Sequence, residues 1–270
     1  IVFWFIRFQT THDHYHKNID QIYQVTTEFR SDGIGYSRGV PVPMWQALRT
    51  ELPQATTAIS IERRNPFIGV LNSEGKLLKK FEEEGPLLTY VQPEYFYIFD
   101  FPWKVGSPKS LAKPNTVVIS EKLAHKYFGN ENPLGKQLKL YNKLDLEVTG
   151  MMGALPENTD MPYEIFVSFE TLPANPDFGY GGSGLDNWGG VNSNTYVFMK
   201  IPEGMSISGI EKKMDEISKK YHGNEANTWG HPVVAFKDIH HSERYYGGMP
   251  IKWIWVMAAI GIFIIVTACF

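Results

Sequence analysis

One short run gathers metal-ligand side chains. HDHYH places His12, His14 and His16 within five residues. On a helix His12 and His16 share a face, being four residues apart. Two imidazoles so spaced suit a borderline metal ion, with His240 or His241 as distant partners. The plainer expectation is a wet helix end with solvated histidines. That expectation is preferred, and no metal is assigned. FGYGGSG carries a G-x-G-x-x-G pattern at Gly179, Gly181 and Gly184, with Glu203 downstream. A dinucleotide fingerprint needs a strand before it and a helix after it, whereas PANPD and LDNWGG flank this run. It reads as a loop. Gly135–Lys136 in NPLGKQL lacks the following Ser or Thr and the upstream glycine of a phosphate loop. Glu82, Glu83 and Glu84 read as a solvated turn. YFYIFDF has no interleaved Lys or Arg, so it reads as core aromatics and not as a base-stacking surface. No nucleophile elbow and no HExxH zinc motif are assigned. No catalytic residue and no cofactor follow from these runs.

The elements that position these residues begin with the ends of the chain. Residues 253–270, WIWVMAAIGIFIIVTACF, contain no charge. As a helix they span about 27 Å at about 1.5 Å per residue, against a hydrocarbon core of about 30 Å. Half of them are Ile, Val or Phe, together about −3 to −5 kcal/mol in favour of insertion. Trp253 and Trp255 suit the headgroup level, and Lys252 marks the water side. Residues 1–8, IVFWFIRF, are apolar except for Arg7 and too short to span. The expectation is the end of one transmembrane helix within residues 1–19 and the start of the next in 251–270. The chain then reads as an excerpt of a longer membrane protein, with a soluble loop over about residues 20–245. The net charge of −3 and pI near 6.3 argue against a nucleic-acid partner. The one cysteine, Cys269, lies in the apolar tail, so the soluble part has no disulfide. That fits a bacterial periplasm or a cytoplasm.

Within the loop, DQIYQVTTEF alternates as a strand. Pro43 opens a helix with Met44, Leu48 and Leu52 on one side. Residues 55–72 return as strand. LLTYV, NTVVI and EIFVSF are short strands. QPEYFYIFDFPW is an aromatic turn or short helix, and KQLKLYNKLDLEVTG is a hairpin turning near Asn142 and Lys143. SEKLAHKYFG is a short helix capped by Ser120 and stopped at Gly129. NTYVFMKI is a strand. The next helix carries Ile210, Met214, Ile217 and Tyr221 as one stripe, and HPVVAFKDI closes as strand. The order is β-α-β, an inserted mainly β block, then β-α-β. This predicts an α+β fold with two lobes.

Several runs also carry a family resemblance. HYHKNIDQIYQV, PVPMWQALRTELP and YVQPEYFYIFDFPWKVGSP come first, and above all PNTVVISEKLAHKYFGNENPLGKQLKL. LEVTGMMGALPENT, IFVSFETL, KDIHHS and TACF follow. In this order, between two apolar ends, they resemble the MacB-like/FtsX-like ABC transporter permeases in the long form common in Bacteroidota. The departures are His12, His14 and the Gly-rich stretch within 178–190. The resemblance implies a periplasmic core domain between transmembrane helices 1 and 2. A membrane-proximal (Porter-like) lobe would hold residues 20–85 and 190–245, and an outer (Sabre-like) lobe residues 86–189. It further implies a cytoplasmic ABC ATPase on a separate chain, a second permease copy or half, and contact with membrane lipid. A periplasmic adaptor or outer-membrane partner would be a further contact. The mechanism implied is mechanotransmission from the inner membrane, exporting or releasing an antimicrobial compound, peptide or lipoprotein. The family carries no catalytic residues in this domain. Tyr95, Phe96, Tyr127 and Phe128 are candidate contact residues, with core packing the commoner role for each. Two rival readings are a periplasmic ligand-binding sensor domain and a membrane-tethered hydrolase.

Overall fold

The computed structural model describes residues 2–31, 33–178, 184–245 and 248–269. The chain opens with α1 (Val2–Thr10), then β1 (Ile22–Val25), β2 (Thr27–Phe29) and β3 (Gly35–Ser37). α2 (Met44–Glu51) starts after Pro43, whose φ of −66° suits a helix start. β4 (Thr56–Arg63), β5 (Phe67–Leu71), β6 (Leu77–Glu82) and β7 (Leu88–Val91) come next. The middle holds α3 (Tyr95–Ile98), β8 (Trp103–Val105), β9 (Thr116–Ser120), α4 (Glu121–Phe128) and β10 (Gln137–Leu140). It continues with β11 (Leu144–Met152), β12 (Ile165–Ser168) and α5 (Thr171–Ala174). The last part holds β13 (Thr195–Lys200), α6 (Ile207–His222), β14 (Trp229–Gly230) and β15 (Val233–Ala235). α7 (Phe236–Ile239) and α8 (Ile251–Cys269) close the described chain.

One mixed sheet organises these elements, in the order β15-β1-β13-β4-β7-β12-β9-β11-β10-β5-β6, with β8 paired to β11. A small sheet, β14-β2-β3, stands apart. Most pairs are antiparallel, while β9–β11 and β7–β12 are parallel. The long strand β4 joins the halves. Thr56–Ile61 pair with β13, and Ser60–Arg63 pair with β7. The sheet therefore runs unbroken through residues assigned to both expected lobes. The β5–β6 hairpin, before residue 85, bonds to β10 at the far edge.

Both faces of the sheet are covered, which explains why NTVVI, EIFVSF and NTYVFMKI read as nearly continuous apolar runs. Val117 and Ile119, Ile165 and Val167, and Val197 and Met199 face one core. α2, α4 and α6 cover that face through Leu48, Leu123 and Ile217, among others. Val118, Phe166 and Phe198 point the other way, into an aromatic core with Tyr95, Phe99, Phe101 and Phe236. Ser120 caps α4 by accepting the Leu123 N–H, and Ser206 caps α6 by accepting the Gly209 N–H.

Three local expectations are corrected. The strand expected over 20–29 is two strands. At Thr26 the backbone turns out of the large sheet, where its N–H donates to Pro232 O and its hydroxyl to Tyr245 Oη. HPVVAFKDI keeps only Val233–Ala235 as strand and then turns helical at Phe236. Glu83 does not lie in a solvated turn. It is buried, and it accepts Lys126 Nζ and Tyr127 Oη, each at 2.8 Å. A buried carboxylate of this kind is tolerated because it is paired and bonded.

Candidate functional site at the helix–domain junction

α8 is the one described helix long and apolar enough to cross a membrane, and only 11% of its apolar window is buried. α1 runs beside it, with Val2 against Gly261. A Cβ placed on Gly261 would sit 3.1 Å from Val2 Cγ1, so the small residue permits the close approach.

Just past α1 the chain is tied down by side chains from three distant segments. Asp13 takes a left-handed backbone, φ +58°, and its N–H donates to Asn158 O at 3.0 Å. Its buried carboxylate accepts the Thr159 hydroxyl and, at 3.1 Å, the Asp160 N–H. Asn158 Nδ2 returns a bond to Thr11 O at 2.8 Å. Burial pushes the Asp13 carboxyl up to about 6, against the pull of those two donors. The C-terminal segment joins at the same place. His240 Nδ1 lies 2.9 Å from Asp160 Oδ1, and its Nε2 lies 2.9 Å from Gln9 Oε1. The His12 ring stacks on His240, with centroids 3.5 Å apart and planes at 12°.

His16 anchors the run on a different partner. It is buried beside Phe99, Phe101 and Phe236. Its Nδ1 accepts the Asp100 N–H at 3.0 Å, and Lys17 N–H donates to Asp100 Oδ2 at 2.8 Å. A nitrogen that accepts carries no proton, so the imidazole is neutral. Burial lowers its pKa to about 4. His12 and His16 thus part company, correcting the shared-face expectation. The run 11–18 is a series of turns and not a helix, so the four-residue spacing does not align the rings. The solvated-histidine expectation is also corrected for His16, because the aromatic core takes its ring. His241 packs edge-on against His240, with ring centres 4.9 Å apart, and its Nδ1 lies 2.8 Å from Met249 O.

The four contact candidates fall in two places. Tyr95 is fully buried with its hydroxyl on Met161 Sδ at 3.0 Å, and Phe96 packs beside it at 9% exposure. Tyr127 and Phe128 are also largely buried, but they line an open groove of about 890 Å³ between α4 and the β5–β6 hairpin. Lys136 Nζ stands 5.2 Å from the Phe128 ring centre. Of the glycine pattern, Gly179 and Gly181 lie outside the described residues, and Gly184 precedes turns and not a helix. GYSRG at residues 35–39 spells G-x-S-x-G, a match the motif reading missed. Ser37 ends an edge strand, and its Oγ accepts the Gly39 N–H at 3.0 Å. The chain then runs on without entering a helix at once, so the strand–turn–helix elbow is missing.

Taken together these features define a class: a mixed α/β domain bonded at several points to an apolar helix and the turns that follow it, with a second, membrane-length helix beside the first. The family model for the MacB-like periplasmic core domain matches residues 1–217, and the chain belongs to that family. It is a MacB-like periplasmic domain of the ABC-type transporter permease family. Solved structures agree on the fold. A domain described as part of a permease protein from Porphyromonas gingivalis shares 19% identity and a TM-score of 0.64, over 82% of this chain and 93% of that one. The periplasmic region of MacB from Actinobacillus actinomycetemcomitans shares 17% and 0.50, over 81% and 89%. The extracellular domain of the ABC-type transporter YknZ from Gram-positive bacteria shares 15% and 0.52, over 77% and 98%. Comparison with curated proteins gives no match.

Proposed function

We propose that this domain relays motion from the inner-membrane helices of a permease to a substrate on the periplasmic side. The observation that carries the reading is the junction at Asp13 and His240. The residues after α1 are bonded to the 158–160 loop, His240 from the segment that follows α7 bonds to the same loop, and α1 itself reaches His240 through Gln9. A helix held only by a flexible linker moves without loading its domain; one held by buried hydrogen bonds does not. On this reading the energy comes from ATP hydrolysis on a separate cytoplasmic ABC ATPase chain, and a second permease copy or half completes the transporter. Residues 20–85 and 190–245 form the Porter-like lobe and residues 86–189 the Sabre-like lobe. The substrate class is an antimicrobial compound, peptide or lipoprotein. Tyr127 and Phe128 are the better-placed contact residues for substrate, adaptor or outer-membrane partner, because they line the open groove.

The test is to purify the full-length protein from its native membrane in mild detergent and identify what accompanies it. A stoichiometric P-loop ATPase is expected, and Asp13→Ala should lower export or release without loss of that ATPase. A kinase in its place would make the domain a sensor and overturn the reading.

A further inference from the structure

We propose that His12, Asp160 and His240 form a binding site for a divalent cation of the Zn²⁺ class. One ligand atom from each residue lies within 4.8 Å of those of the other two. Tetrahedral Zn²⁺ ligands at about 2.0–2.1 Å stand roughly 3.4 Å apart, so rotation of the side chains closes the remaining gap. Two imidazoles and a carboxylate are a donor set suited to zinc and poorly suited to magnesium or calcium.

The bonds around the rings already have the form such a site needs. His12 Nδ1 lies 3.0 Å from Phe8 O, and His240 Nδ1 lies 2.9 Å from Asp160 Oδ1. Phe8 O is an acceptor, so His12 Nδ1 carries the proton and its Nε2 keeps the lone pair, while His240 Nδ1 stands beside Asp160 Oδ1 and an ion held by both replaces the proton between them. Metal-bound histidines are held in this way, with the far nitrogen donating to a carbonyl or carboxylate. His240 Nε2 also faces Gln9 Oε1 at 2.9 Å. With the ion on Nδ1, the His240 proton sits on Nε2 and donates to that amide oxygen. The stack itself must open on binding. Lone pairs lie in the ring planes, and planes only 12° apart do not converge on one ion. His12, half-exposed just after α1, is the ring placed to turn.

The three ligands come from the turns just after α1, the loop between β11 and β12, and the segment after α7. An ion there would pin these segments at one point. The binding claim stands whether or not the domain relays motion.

The experiment uses the full-length protein in detergent, stripped with chelator and titrated with Zn²⁺ alone at neutral pH. One ion per chain is expected, with an X-ray absorption edge fitting two imidazoles and oxygen. His12→Ala and Asp160→Asn should each weaken binding at least about tenfold. His14→Ala and His222→Ala should leave it unchanged; His222 belongs to a separate histidine pair, with Nε2 3.1 Å from that of His231. In the unaltered chain, Zn²⁺ should slow amide exchange over residues 9–16. No saturable binding, or binding that His12→Ala and Asp160→Asn leave intact, would overturn the proposal. So would bound Zn²⁺ that leaves exchange over residues 9–16 unchanged.

Discussion

Protonation of His16 should weaken the domain's hold on the residues after α1 as the pH falls. Its imidazole is buried and accepts the Asp100 N–H through Nδ1. A proton on Nδ1 would abolish that bond and set two N–H groups face to face. Its pKa falls from 6.5 to about 4 on burial. Between those values the unfolded ring binds a proton and the folded ring does not, so stability is complete above pH 6.5 and declines as the pH drops. The gap of about 2.5 in pKa, at about 1.36 kcal/mol each, is worth about 3 kcal/mol. At pH 4.5 the loss reaches up to about 100-fold in the local opening constant. Asp13 works in the opposite direction. Its folded carboxyl sits at about 6 against 3.8, so it takes up a proton first and gains stability as the pH falls from 6. The wild-type curve alone therefore mixes two effects. The difference between wild type and His16→Asn isolates one, since asparagine supplies a non-titrating acceptor near the Nδ1 position. The assay is amide exchange at Asp100, corrected for intrinsic rate, from pH 7.5 to 4.5. Protection should fall more steeply in wild type than in His16→Asn. Equal pH dependence in the two proteins would refute the assignment.

Other perturbations test the packing. Glu83→Ala strands the Tyr127 hydroxyl, on a side chain only 1% exposed, and should cost about 1–3 kcal/mol in denaturant midpoint; Tyr127→Phe should cost less, because Glu83 keeps Lys126. Gly39→Ala would set a Cβ 1.8 Å from Asn192 O, a clash with backbone that no rotamer relieves. Poor expression or a midpoint lowered by more than about 3 kcal/mol is expected, and a neutral result would refute that close approach. Gly261→Leu should separate α1 from α8 where Val2 now approaches Gly261, read as a longer distance between spin labels placed on the two helices.

The elements were legible where a periodic pattern coincided with a punctuating residue. Pro43 before Met44 and Ser120 before Glu121 each mark a helix start that the structure has. The Asn142 turn was legible too, with Tyr141 and Asn142 both at positive φ. β6 was not. Its residues LLKKFE are mostly exposed, with lysines at 79 and 80 guarding an edge strand, so they lack the alternation that marks a half-buried one. The junction was legible only as a list of residue types. His12 and His240 were named as partners, but Asp160 lies 148 residues from the first and 80 from the second. No spacing rule connects such positions; the sheet order does. His16 was misjudged because its neighbours in sequence are polar, while its neighbours in space are Phe99, Phe101 and Phe236.

The sheet order also says where a displaced α1 would press. The loop bonded to Asp13 leads directly into β12, which lies midway in the strand order between β7 and β9. His16 bonds to Asp100, two residues past α3, and α3 packs under β4 and β13 through Tyr95 and Phe99. Both attachments reach the middle of the sheet and not an edge. A push on an edge strand is absorbed by local opening, since few bonds oppose it. A push on a central strand, paired on both sides and covered on both faces, is passed to its neighbours, because a close-packed interior transmits strain. α8 is attached differently. Lys252 pairs with Glu243, and His241 reaches Met249 O, both within the segment that leads into the helix itself. Of the two helices, α1 holds the shorter bonded route to the sheet's centre, so motion of α1 would carry further into the domain than an equal motion of α8.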